Sequence, residues 1–148
     1  MGEKLLIASD HAGYDLKKFL KENRADFEWI DLGTHSHDSV HYPDFGYDMA
    51  KAIEQGDAQR GVLICGTGIG ISISANRSPK VRAAVCTDST MAKLTRLHND
   101  ANVLALGARL TGTEIVLDIF DTFMNTEFEG GGRHAIRVGK LNEGIHND

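Results

Sequence analysis

The stretch RGVLICGTGIG, residues 60–70, decides how the rest of the chain is read. Its first half is an apolar run of strand length. Its second half sets three glycines, Gly66, Gly68 and Gly70, around a threonine. A buried strand running straight into a glycine turn, with a helix behind it, is the corner of a parallel α/β sheet. Cys65 stands at the junction of the two halves.

Working outward, the same alternation recurs. Strands are expected at KLLIAS (4–9), FEWIDL (27–32), RGVLIC (60–65), VRAAVC (81–86) and NVLALG (102–107). Between them, YDLKKFLKEN (14–23) carries Leu16, Phe19 and Leu20 at helical spacing, and PDFGYDMAKAIEQG (43–56) carries Phe45, Met49 and Ile53. DSTMAKLTRLHND (88–100) reads as a helix capped at Asp88. TGTEIVLDIFDTFMNT (111–126) is a helix with a wide apolar face, and a polar tail from about 133 to 143 has helical character. Apolar strands alternating with helices predict a five-stranded parallel sheet covered on both faces, a doubly wound three-layer α/β domain. Ligands then bind at the carboxyl ends of the strands. The polar segments 9–13, 33–44, 65–70 and 86–90 are all expected on that edge.

The glycine loop argues against two nucleotide readings. The dinucleotide fingerprint needs glycine at position 71, where this chain has Ile71; the third glycine comes one residue early. No Gly-Lys-Ser/Thr follows, so the triphosphate loop fails as well. What remains is a set of backbone N–H groups able to hold an anion or a developing oxyanion. A tight turn that simply requires small residues is the other reading.

Cys65, at the head of that loop, suits a nucleophile or general base, or else a buried inert thiol. Cys86 lacks such a loop and reads as structural. His98, near the end of a helix, suits acid/base chemistry at neutral pH or a helix-end cation; Asn99 and Asn102 beside it could bond sugar hydroxyls. His35, His37 and His41 have zinc-ligand chemistry but read as solvated loop residues, so no metal is expected. Arg133 and Arg137 lie four apart on the tail, where two guanidinium groups can clamp a phosphate, with Arg109 able to join them. A solvated basic face is the alternative.

The 148 residues suit one domain. A net charge of −5 gives no footprint for nucleic acid or anionic membrane, so any anion must be held by a local cluster of donors. The opening MGEKLLIASDH lacks the pattern of a secretory leader, and no apolar run approaches membrane-spanning length. Two cysteines are too few for a disulfide framework. A cytoplasmic protein with free thiols is the expectation.

Six segments together, ASDHAG, DLGTHS, YPD, CGTGIGISISANR, HNDANVLALGARL and EGGGRHAIRV, resemble the type B ribose-5-phosphate isomerases, the family that includes galactose-6-phosphate isomerase subunits. They span nearly the whole chain in the expected order. The resemblance implies a Rossmann-like α/β/α sandwich, homodimers or tetramers with active sites shared between subunits, and aldose–ketose isomerisation of a sugar phosphate without cofactor. It implies that the tail, about 129–148, contacts the partner subunit. It also implies roles. Asp10 and His98 would open the furanose ring, and His11 would help bind phosphate. Cys65 would move the proton between C2 and C1. Thr67 and the N–H groups of Gly66 to Gly70, Gly68 included, would stabilise the enediolate. Tyr42 would pack near the sugar, Asn99 would bind its hydroxyls, and Arg109, Arg133 and Arg137 would hold the phosphate, at least partly from the opposite subunit. Some relatives have serine at the cysteine position and a glutamate base elsewhere; ISISA at 71–75 has no glutamate, which sets this chain with the cysteine branch. A six-carbon sugar phosphate would use the same groups. A non-catalytic sugar-phosphate sensor is the reading from another class.

Overall fold

The computed structural model describes residues 2–145; the last three positions of the expected tail lie outside them. Five parallel strands, β1 (Lys4–Ser9), β2 (Glu28–Asp31), β3 (Arg60–Cys65), β4 (Ala83–Val85) and β5 (Val103–Gly107), form one sheet in the order β2-β1-β3-β5-β4. The helices are α1 (Tyr14–Asn23), α2 (Tyr42–Gln55), α3 (Ile69–Ala75), α4 (Ser89–Asn99), α5 (Thr113–Asn125) and α6 (Gly132–Glu143), with a single 3-10 turn at His11–Gly13.

The three inner strands read as continuous apolar runs because both of their faces are covered. On one face Leu5, Ile7, Val62, Ile64, Leu104 and Leu106 pack with Leu16 and Leu20 of α1 and with Val116, Ile119, Phe120 and Phe123 of α5. On the other, Leu6, Ala8, Leu63, Cys65 and Val103 pack with Met49, Ala50 and Ala52 of α2 and Ile71 and Ala75 of α3. The outer strands are shorter than their sequences suggest. β2 keeps 28–31 of the expected 27–32 and β4 keeps 83–85 of 81–86, since each pairs on one side only. The expected cap is present: Asp88 accepts from Met91 N–H at 2.8 Å. Gly56 ends α2 in the left-handed region.

Strand order reverses between β1 and β3. The crevice of a doubly wound sheet opens at such a reversal, outside the carboxyl ends of the two strands. Asp10 and His11 follow β1 there, and the glycine loop follows β3.

Candidate active site

Cys65 ends β3 and is buried on the α2–α3 side of the sheet. Its Sγ accepts the Gly68 N–H at 3.2 Å, which orients the sulphur and aims a donor at any charge on it. Thr67 is exposed and its hydroxyl accepts the Ile69 N–H at 3.1 Å. Two of the loop's N–H groups therefore serve its own side chains. The loop needs glycine at 68 for two reasons: φ is +79°, and a Cβ would stand 2.9 Å from the Leu106 backbone. Gly70 has no room either, because a Cβ there would meet the Tyr42 ring at 2.6 Å. Tyr42 thus lies flush against the loop from the start of α2.

The register sets Ser9 opposite Ile64, so Asp10 stands beside Cys65 at the next level, with its N–H on the Ile64 carbonyl at 3.2 Å. Asp10 is buried and its carboxylate caps the short turn through Gly13 N–H at 3.2 Å. His11 is half-buried. Its Nδ1 accepts the Val40 N–H at 3.2 Å, which leaves Nε2 as the proton-bearing nitrogen of the neutral ring. Arg109, just past β5, donates its N–H to Gly66 at 3.0 Å, and its guanidinium lies over that glycine, 3.2 Å from where a Cβ would be. One chain therefore brings together Asp10, His11, Tyr42, Cys65, Gly66, Thr67, Gly68, Gly70 and Arg109.

It does not bring His98, Asn99, Arg133 and Arg137 to them. After β4, α4 runs back along the sheet, and Asn99 is followed within four residues by the first residue of β5. His98 is thus at the amino edge. Cys65 is four residues up β3 from the level where β5 begins, so about 13 Å of sheet separates the two levels. α6 packs on α4 at that same end. The His98 and His134 rings stack with centroids 4.4 Å apart, and Arg82 Nη1 donates to Asn142 at 2.7 Å. Arg133 and Arg137 are exposed on α6. Partial burial holds the His134 ring below the usual histidine range, and nearby His98, Arg133 and Arg137 act in the same direction. His134 counted in the sequence only as one member of a basic segment; its ring partner came from the packing of two helices.

Asn102 is not available for sugar. Its side chain accepts from Arg82 N–H at 2.8 Å and donates to the Lys80 carbonyl at 2.9 Å, tying β4 to β5. His35, His37 and His41 are exposed, and His37 is spent on Asp15 at 2.7 Å. Among the described residues no three His, Cys, Asp or Glu side chains group as metal ligands, and no helix is long and apolar enough to cross a membrane. Cys86 is buried and unpaired, with its thiol pushed up to about 12 by burial and by Asp88. That is a structural thiol.

A thiol stands beside a carboxylate and a glycine loop at the switch point of a doubly wound sheet, groups able to move a proton and hold an oxyanion. The profile of the Ribose/Galactose Isomerase family matches residues 5–141, and the chain belongs to that family of aldose–ketose isomerases. It is 41% identical over 138 residues to ribose-5-phosphate isomerase B of Escherichia coli, covering 92% of each chain. Among solved structures, it matches the ribose-5-phosphate isomerase B of Clostridium thermocellum at 54% identity and a TM-score of 0.91, covering 95% of each chain. The ribose 5-phosphate isomerase of Thermotoga maritima matches at 44% identity and a TM-score of 0.90, over 97% of this chain and 99% of that one.

Proposed function

We propose that this protein interconverts D-ribose 5-phosphate and D-ribulose 5-phosphate, and that each active site is completed by a second copy of the chain. The observation that carries the reading is Cys65, held by Gly68 N–H at 3.2 Å and set beside Asp10 at the mouth of the crevice. The substrate comes from the three relatives, each a ribose-5-phosphate isomerase.

The steps follow from what the groups can do. The substrate rests as a closed ring. Asp10 takes the proton of the anomeric hydroxyl while His98 protonates the ring oxygen, and the chain opens to the aldehyde. The Cys65 thiolate then removes the C2 proton. The electron pair moves into the C1–C2 bond and the carbonyl oxygen at C1 becomes the oxyanion of an enediolate. Thr67 and loop N–H groups stabilise that charge as it forms, which is where fixed donors are worth most. Cys65 returns the proton to C1, and a proton passing from the oxygen on C2 to that on C1 completes the ketose. Arg109, Arg133, Arg137 and His11 hold the phosphate away from the chemistry, so its binding energy goes into positioning. Tyr42 lines the sugar and Asn99 bonds its hydroxyls.

The shared site is supported by topology. His98 and the α6 arginines sit at the sheet edge opposite Cys65, so a twofold partner is the direct way to join them. The loop face also leaves Ile69 and Ile73 of α3 half exposed, and α6 leaves Ile136 exposed, apolar surface that a second copy would cover. In this reading α6 is the arm that reaches the partner. Two free, buried cysteines suit the reducing cytoplasm, where we place the protein.

The test is a coupled assay with ribose 5-phosphate, allose 6-phosphate and galactose 6-phosphate, with and without chelator. The reading predicts that the five-carbon substrate is turned over fastest and that chelator changes nothing. A five-carbon substrate much slower than either six-carbon one would overturn it.

A further inference from the structure

Lys17 is a lysine with a 1% exposed side chain, on the inner face of α1. Its ammonium donates to Asp31 Oδ1 at 2.8 Å and to the Thr34 carbonyl. Asp31 also accepts from Lys21 at 3.0 Å and from Gly33 N–H at 2.9 Å. Burial lowers the Lys17 pKa below the usual range in spite of Asp31. Burial pushes the Asp31 carboxyl up, but Lys17, Gly33 and Lys21 outweigh it and hold it below the carboxylate range. A buried pair of this kind is a weak source of stability, since apolar residues of similar size often do as well. Its use lies in what it holds.

What it holds is the segment from β2 to α2, residues 33–41, at the rim of the site. Gly33 and Thr34 are caught between the pair and β1: Ser9 N–H donates to the Gly33 carbonyl at 2.7 Å, and Thr34 N–H donates to the Ser9 carbonyl at 2.8 Å. Asp10 is the next residue. Further along the same segment, Val40 N–H donates to His11 Nδ1 at 3.2 Å. The segment then runs into Tyr42, against Gly70. One buried ion pair therefore fixes the backbone that sets Asp10 and reaches the ring of His11, and through Val40 it fixes which His11 nitrogen carries the proton.

We infer that Lys17 and Asp31 are positioning residues for ring opening and phosphate binding, acting through Gly33, Thr34 and Val40 on Asp10 and His11. The inference rests on the function proposed above. Neither residue contacts substrate. The pair serves the ring-opening half of the reaction and not the proton transfer at Cys65, so the two halves come apart when it is removed.

The experiment uses the whole protein with Lys17→Met and Asp31→Leu combined, which removes both charges together. Two rates at saturating substrate are compared with wild type, so that looser phosphate binding through His11 shows in KM and leaves both rates unchanged. One is turnover of ribose 5-phosphate, which needs ring opening. The other is exchange of the C1 proton of ribulose 5-phosphate with D2O, followed by NMR; this ketose cannot close a furanose ring, so exchange reports the enediolate step alone. The expected result is a melting temperature close to wild type, turnover lower by about tenfold to a hundredfold, and exchange within about threefold of wild type. Unchanged turnover overturns the inference, and so does an equal fall in both rates. If the double variant does not fold, Asp31→Asn, which keeps an oxygen for Lys17 and Gly33, should give the same split with smaller amplitude; an equal fall or none overturns the inference there too. Wild-type protein that neither turns over nor exchanges these substrates would instead overturn the function itself, and this inference with it.

Discussion

The two edges of the sheet are built differently. At the carboxyl edge the chain closes on itself. A Cβ at Gly68 would strike the Leu106 backbone at 2.9 Å, and one at Gly107 would strike the Thr67 carbonyl at 2.7 Å, so the glycine loop and the end of β5 are in direct contact. At the amino edge, where α6 meets α4, Gly130 to Gly132 have nothing within 4 Å of a Cβ position, and Arg133, Ile136 and Arg137 face outward. Close packing is what holds a base and its donors to a fraction of an ångström. An open charged helix is what a second chain can meet. Under the proposed function, the difference divides the labour: the proton-transfer step stays within one chain, while Arg133, Arg137 and His98 come from the other.

The largest effect should come at the closed edge. Cys65→Ala is expected to lower turnover by about three orders of magnitude while calorimetry still detects ribose 5-phosphate binding. Near-normal turnover would remove Cys65 as the base and with it the distinction between the edges.

At the open edge the expected loss is smaller and of another kind. Arg137→Ala should raise KM about tenfold with little change in kcat, because in the proposed function it binds the phosphate in ground and transition states alike. An unchanged KM would take α6 out of the site.

The smallest effect sharpens the contrast between the two cysteines. The Cys86 thiol is held at about 12 in the folded protein, against 9.0 for an ordinary thiol. The folded state keeps its proton where the unfolded chain loses it. This contribution is complete below pH 9.0 and is lost as pH rises toward 12. Between pH 8 and pH 10, urea denaturation should show wild type losing about 1 kcal/mol more than Cys86→Ala. Equal losses would mean that Cys86 is not the sealed thiol its burial implies.

The sequence carried the layers of the fold more fully than the composition of the site. Strands β1, β3 and β5 are legible because burial on both faces leaves an apolar run no other element explains. A helix behind the glycine turn is expected from the α/β pattern, but the bounds of α3 are not legible, because IGISISA mixes glycine, serine and β-branched residues with weak helix preference. Its conformation is imposed by packing, as where Ser74 lies so close to Gly46 that no Cβ would fit there. The glycine loop and Cys65 were legible as chemistry, and the six resembling segments gave the site residues their roles. That His98 and Cys65 face opposite edges follows from chain direction and becomes visible only when α4 is traced back along the sheet. Lys17 was hidden for a different reason. A lysine on an amphipathic helix reads as solvated, and its partner Asp31 ends a strand fourteen residues further on, outside any local pattern. Asn102 shows the reverse error, a polar residue next to His98 and Asn99 in sequence whose hydrogen bonds are already taken by Lys80 and Arg82 in the chain leading into β4.

The central claim is that one site draws on two chains, and subunit mixing tests it directly. Cys65→Ala and His98→Asn proteins, each inactive alone, are unfolded together, refolded at equal concentration and assayed with ribose 5-phosphate. Half of the dimers formed should be mixed, and each mixed dimer regains one intact site, so about a quarter of wild-type activity is predicted. No recovered activity, with mixed dimers demonstrated by mass spectrometry, would contradict the shared site.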